Sequence, residues 1–183
     1  PLSVTRVPSR LTVRVWNGNR FSDLGRAVPL KTGDELRVEA EYPAELHTTM
    51  LWIDAEGTVR ELAVGKPNAV LPRLLYPVAG QAVPLEGRSG TQLILLCGNP
   101  NQPVSLEQIQ GRLQDVRNWP VLPPASILRH DSTGLQIENF SRGLGQPRDK
   151  PDPESEVVSR FRKLQSDLGP HCVILSAIAA SQQ

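Results

Sequence analysis

DELRVEAEYPAELHTTMLWIDAEGTVRELAV, residues 34–64, is the stretch that decides the fold class. Leu36, Val38 and Ala40 alternate with Arg37, Glu39 and Glu41, the period-two pattern of a strand with one buried and one wet face. From Leu46 to Ile53 apolar residues fall at both parities, as in a strand covered on both sides. Asp54-Ala55-Glu56-Gly57 then turns the chain, with Gly57 supplying the positive φ that a short hairpin loop needs. Thr58 to Val64 returns. In succession the three segments predict an antiparallel three-strand meander, a scaffold without catalytic chemistry of its own.

Outward from this stretch, Leu11 to Trp16 alternates and predicts a first strand, followed by a turn at Asn17-Gly18-Asn19 and a connector from Arg20 to Leu30. On the other side, Gly65 to Gly90 carries Pro67, Pro72, Pro77 and Pro84. Proline removes a ladder donor and restricts its predecessor, so this reads as a long loop with a short edge strand near Gln81 to Leu85. Thr91 to Cys97 is a continuous apolar run and predicts a central strand.

Ser105 and Gln108 have capping-box spacing, with Val104 and Ile109 placed as a hydrophobic staple. They predict a helix with Leu106, Ile109, Leu113 and Val116 on one stripe. Trp119 to Pro124 is proline-rich, either a packed connector or a polyproline ligand. Two short strands follow, at Ile127 to Arg129 and Leu135 to Phe140, and then a polar, Gly-containing loop from Ser141 to Pro151. Asp152 as N-cap, Pro153 at the first helical position and Gly169-Pro170 as the stop predict a second helix, with Val157, Val158, Phe161, Leu164 and Leu168 on one face. Cys172 to Ile178 predicts the last strand. The sum is a mainly β chain: an immunoglobulin-like β-sandwich over 8–103 with two peripheral helices, and a helix-strand-helix-strand extension over 104–183 packed on it.

The chain has 183 residues and a formal net charge of +1, with seventeen prolines against three Trp, two Tyr and three Phe. It lacks the clustered basic stripe of a nucleic-acid binder, so no nucleic-acid partner is expected. No apolar run reaches the ~18 residues of a membrane span, so no membrane insertion is expected. No cofactor motif appears: Gly143-x-Gly145 lacks a third glycine and a βαβ setting. His47, His130 and His171 lie far apart without metal-ligand spacing.

His130-Asp131-Ser132 reads as a polar turn rather than a triad, since a triad is defined by geometry and not adjacency. His171 and Cys172 are neighbours on a strand and point to opposite faces, the wrong arrangement for a hydrogen-bonded thiol and base. Arg160, Arg162 and Lys163 read as a solvated helix face, with phosphate contact as the alternative. Cys97 and Cys172 sit in apolar runs and are expected reduced and buried; their spacing leaves a disulfide open. No catalytic, metal or cofactor residue is therefore nominated. The candidate partner-contact residues are Arg73, Leu74, Leu75 and Tyr76, held between prolines in the first long loop. They either close the open edge of the sandwich or dock on another domain.

Several landmarks recur in one order: Leu30-Lys31-Thr32-Gly33-Asp34, Leu51-Trp52-Ile53-Asp54, Gly57-Thr58-Val59, Leu62, Pro67-Asn68, Val83-Pro84, Gly90-Thr91 and Asn99-Pro100. Over roughly Pro8 to Pro103 this order resembles an uncharacterised bacterial β-rich domain family whose members sit C-terminal to serine/threonine kinase or caspase-like peptidase domains. Arg142-Gly143-Leu144-Gly145, the second helix and the last strand resemble tails of this domain in planctomycete-type kinase proteins. The aromatic that the family carries after the hairpin is Ala63 here, and the family brings no catalytic residues. The chain opens on Pro1 rather than Met and is expected to be a piece of a larger protein. The resemblance implies a non-catalytic accessory, sensor or protein-interaction module of a bacterial signalling protein. Its partners would be other domains of the parent or a separate protein. A hydrolase of unrecognised type and a structural spacer are the alternatives.

Overall fold

A computed structural model describes residues 9–16, 18–78, 80–86, 88–114, 116, 119–123, 126–131, 134–139 and 153–181. The expected loop from Ser141 to Pro151, Ser132 and the N-cap Asp152 lie outside the described residues. The elements in order are β1 (Arg10–Trp16), β2 (Phe21–Asp23), the single turn α1 (Leu24–Ala27), β3 (Leu30–Lys31), β4 (Glu35–Glu41), β5 (His47–Ile53), β6 (Val59–Gly65), β7 (Arg73–Tyr76) and β8 (Val83–Pro84). β9 (Gly90–Asn99), α2 (Leu106–Gln114), β10 (Ser126–Asp131), β11 (Gly134–Asn139), α3 (Pro153–Asp167) and β12 (Cys172–Ser181) complete the chain.

Two sheets form the expected β-sandwich. The smaller runs β2-β1-β4-β7, with β8 also on β4; the larger runs β11-β10-β12-β9-β5-β6, with β3 parallel to β12. Helices α2 and α3 add a third layer. Alternate side chains of the central strands enter two different cores: Met50, Trp52, Ile94 and Leu96 face the smaller sheet with Val13, Leu36, Val38 and Tyr42. Leu51, Ile53, Leu93 and Leu95 face Ile109 of α2, Phe161 and Leu164 of α3, and Leu168 just beyond it. The two-sided apolar pattern of Leu46 to Ile53 is thus that of a strand in the middle layer. Leu36, Val38, Met50, Trp52, Val59, Leu93 and Leu95 are all buried, as the strand registers require.

The three-strand meander expected over 34–64 is not formed. β4 pairs with β1, β7 and β8 in the smaller sheet, whereas β5 pairs with β6 and β9 in the larger one. The two burial patterns are incompatible in one sheet. β4 keeps Glu35, Glu41 and parts of Arg37 and Glu39 in solvent, while β5 is covered on both faces. The chain crosses between sheets at Tyr42, whose N–H donates to the Pro72 carbonyl (3.0 Å) and whose hydroxyl donates to the Lys66 carbonyl (3.3 Å). Beneath the Tyr42 ring lies buried Gly65, where a Cβ would meet Tyr42 Cζ at 2.5 Å. The β5–β6 hairpin forms as expected, with Gly57 at φ +83° and the Asp54 carboxylate accepting from the Glu56 and Thr58 N–H groups at 2.9 Å each.

Strands β10, β11 and β12 are built into the larger sheet rather than laid on it. β12 pairs with β9 over most of its length, and β10 pairs with both β12 and β11. The capping box is present: Ser105 Oγ accepts from the Gln108 N–H (3.2 Å) and Gln108 Oε1 accepts from the Ser105 N–H (3.1 Å). Val104 and Ile109 are buried together as the staple requires. Phe161, Leu164 and Leu168 are buried, each worth about 1.5–3 kcal/mol. Arg112 of α2 donates to the Leu168 carbonyl (2.9 Å), a cation at the C-terminal end of α3. The segment before β10 is a packed connector: the Leu122 N–H donates to Thr91 Oγ1 (2.8 Å) and Trp119 Nε1 to the Thr91 carbonyl (3.2 Å).

Candidate functional site

Arg73 to Tyr76, expected in a loop, form β7, the last strand of the smaller sheet. Strand alternation divides the four residues. Leu74 is buried in the inter-sheet core and Tyr76 packs against that core, whereas Arg73 is exposed and Leu75 half-buried. They are therefore not one presented surface: Leu74 and Tyr76 close the sandwich, and Arg73 and Leu75 lie outward. β7 runs close beside β6, the last strand of the larger sheet.

The residues that the sequence reading passed over flank this edge. Val70 is 97% exposed, Leu71 80% and Val78 64%, at the two ends of β7; Val64, 44% exposed, stands near the end of β6. Among the described residues, one other large apolar side chain, Val121, is comparably open. An available signal was Val70-Leu71 standing between Asn68 and Pro72, apolar residues in a segment whose ends are turn-formers. Tyr42 fixes the base of this link through its bonds to Lys66 and Pro72.

The outer face of the smaller sheet gives the edge a charged border. Glu39 is surrounded by three arginines: Arg37 Nε at 3.4 Å, Arg14 Nε at 4.0 Å and Arg73 Nη2 in hydrogen-bond contact. The Arg37 guanidinium lies 5.3 Å from the centre of the Phe21 ring, and Phe21 lies 5.0 Å from Trp16. At the opposite border, Asp23 binds Arg129 and ties the smaller sheet to β10. Burial opposes the Asp23 charge, but the Gly25 N–H and the Arg129 guanidinium hold its carboxyl below the usual 3.8.

A cleft of about 530 Å³ lies between the β5–β6 turn and the C-terminal end of α2, lined by Glu56, Gln110, Leu113, Gln114, Val116 and Trp119 among others. Among the described residues that line it are one carboxylate, already paired with Arg88 at 2.9 Å, and two amides, and no histidine, serine or cysteine. His47 stands opposite Asn99, His130 opposite Leu135, and His171 precedes β12. Among the described residues no group of three or more His, Cys, Asp or Glu side chains is placed to hold a metal ion. Arg160 and Lys163 pair with Glu156 and Asp167 at i,i+4 spacing on the exposed face of α3. No helix among the described residues is long and apolar enough to cross a membrane. Comparison with family models, with curated proteins and with solved structures returns no match.

Proposed function

We propose that this chain is a non-catalytic interaction module that docks on a protein partner, or on another domain of its parent, along the β6–β7 edge. One observation carries the reading. Four of the five large apolar side chains most open to solvent among the described residues belong to β6 and to the segments bracketing β7. Exposed apolar residues ranged along one edge beside polar ones favour an interaction site over a spacer. The arginines around Glu39 would supply the polar rim that surrounds such an apolar centre. The resemblance of 8–103 to kinase- and peptidase-associated domains favours a bacterial signalling protein as the parent.

Lys66 lies exposed on the β6–β7 link and offers a crosslinking handle. In cells expressing the natural full-length gene product, a lysine-reactive crosslinker should join Lys66 to a polypeptide segment outside this chain. The double variant Leu71→Asp, Val78→Asp should lose that crosslink while melting within about 1 kcal/mol of the wild type, because neither side chain is buried. An undiminished crosslink in the variant, or no crosslink beyond the chain in the wild type, refutes the docking face.

A further inference from the structure

Cys97 and Cys172 are two nucleophiles that the docking reading does not use. They are direct partners in the β9–β12 ladder. The Gly98 N–H donates to the His171 carbonyl at 2.8 Å. Gly98 and His171 are therefore the hydrogen-bonded pair, and Cys97 and Cys172 beside them are the non-hydrogen-bonded one. Such a pair holds its Cα atoms about 4.5 Å apart with the side chains at closest approach. That spacing lies within the roughly 4.4–6.8 Å a disulfide spans, so no backbone movement is needed to join them. Both side chains point into the helix-covered core, neither is in a disulfide, and the two are hydrogen-bonded to each other. Cys97 is fully buried and Cys172 is 7% exposed. Directly after Cys172 the register slips by one residue, interrupting the ladder beside it.

We propose that Cys97 and Cys172 form a redox modification site, a dithiol that a peroxide converts to a disulfide locking β12 to β9. With Cys97 fully buried and Cys172 only 7% exposed, hydrogen peroxide reaches the pair when the ladder opens locally at the bulge, which also frees the Cys172 thiol to ionise. The Cys172 thiolate attacks one peroxide oxygen; the O–O bond breaks, hydroxide leaves and is protonated to water, and Cys172 becomes a sulfenic acid. Cys97 sulfur then attacks Cys172 Sγ. The S–S bond forms, the S–O bond breaks and a second water leaves. One peroxide takes two electrons from two thiols. The bond closes a loop of about 75 residues, which restricts the unfolded chain strongly.

The test treats the intact chain with hydrogen peroxide in native buffer, removes the oxidant with catalase, denatures, alkylates and weighs the product. The expected result is loss of both alkylatable thiols in a monomeric species, a Tm about 10 °C above that of the reduced chain, and reversal of both by dithiothreitol. Cys97→Ser and Cys172→Ser should show no such rise after peroxide. Should a serine variant fail to fold, the wild-type mass and melting measurements decide alone. Two thiols surviving treatment, a sulfinic acid in place of the bond, a covalent dimer, or a Tm that falls on oxidation would each overturn the proposal.

Discussion

Replacing Gly65 with alanine tests the corner on which both the sheet crossing and the proposed docking edge rest. The new Cβ would stand 2.5 Å from Tyr42 Cζ, 2.6 Å from Oη and 2.9 Å from Cε1. The ring has little freedom to yield, being 2% exposed, packed between the sheets and bonded to Lys66 through its hydroxyl. Overpacking of this kind costs about 1–3 kcal/mol, and losing the hydroxyl bond adds about 1 kcal/mol. The expected loss is about 3 kcal/mol, a fall in Tm of roughly 6–12 °C for a chain of this size. Urea melts followed by circular dichroism measure it. Tyr42→Phe removes the 2.6 Å contact but leaves the 2.5 Å one, so Gly65→Ala should cost nearly as much in that background. In a Tyr42→Ala background the obstacle is gone, and the cost should fall below about 1 kcal/mol, a coupling that a double-mutant cycle isolates. A Gly65→Ala cost under about 0.5 kcal/mol, or an equal cost in all three backgrounds, refutes the packing at this corner.

Ser105→Ala removes half of the capping box and should lower stability by about 1 kcal/mol in the same melts, with Ser105→Asp keeping most of it; equal stability of all three chains would mean that the cap does not hold α2. Burial raises the Tyr42 phenol above 10.0, and the hydrogen bond to Cys97, together with burial, raises the Cys172 thiol well above 9.0. In each case the folded state holds the proton more tightly than the unfolded chain. Their stabilisation is thus complete below the unfolded values and is lost as pH climbs from those through the raised folded ones. Urea melts across a pH series should show stability falling from about pH 9 upward, with a shallower fall in Tyr42→Phe and in Cys172→Ser; identical slopes in all three chains would contradict this assignment.

Only part of the proposed docking edge was legible in sequence. Arg73 to Tyr76 led to the edge strand β7, because an apolar run between prolines has to cover something or be presented. Its residues were not divided correctly, since treating them as loop hid the alternation that buries Leu74 and turns Arg73 outward. Val70, Leu71 and Val78 carry the exposed surface, and exposure is set by where the rest of the chain leaves a gap rather than by any local pattern.

By itself, the sequence determined what depends on near neighbours. The alternation in Leu36 to Ala40, the two-sided burial of Leu46 to Ile53, the Asp54–Gly57 turn, the Ser105–Gln108 box and the stop at Gly169-Pro170 each follow from backbone geometry within a few residues. Tertiary structure alone decided the partners. A burial pattern states that a face is covered and is silent on what covers it, so consecutive strands β4 and β5 read as a pair although they belong to opposite sheets. The same silence hid β12 beside β9 and Cys172 opposite Cys97, because a ladder across about 75 residues is chosen by the energy of the whole packed core, to which no local spacing gives access.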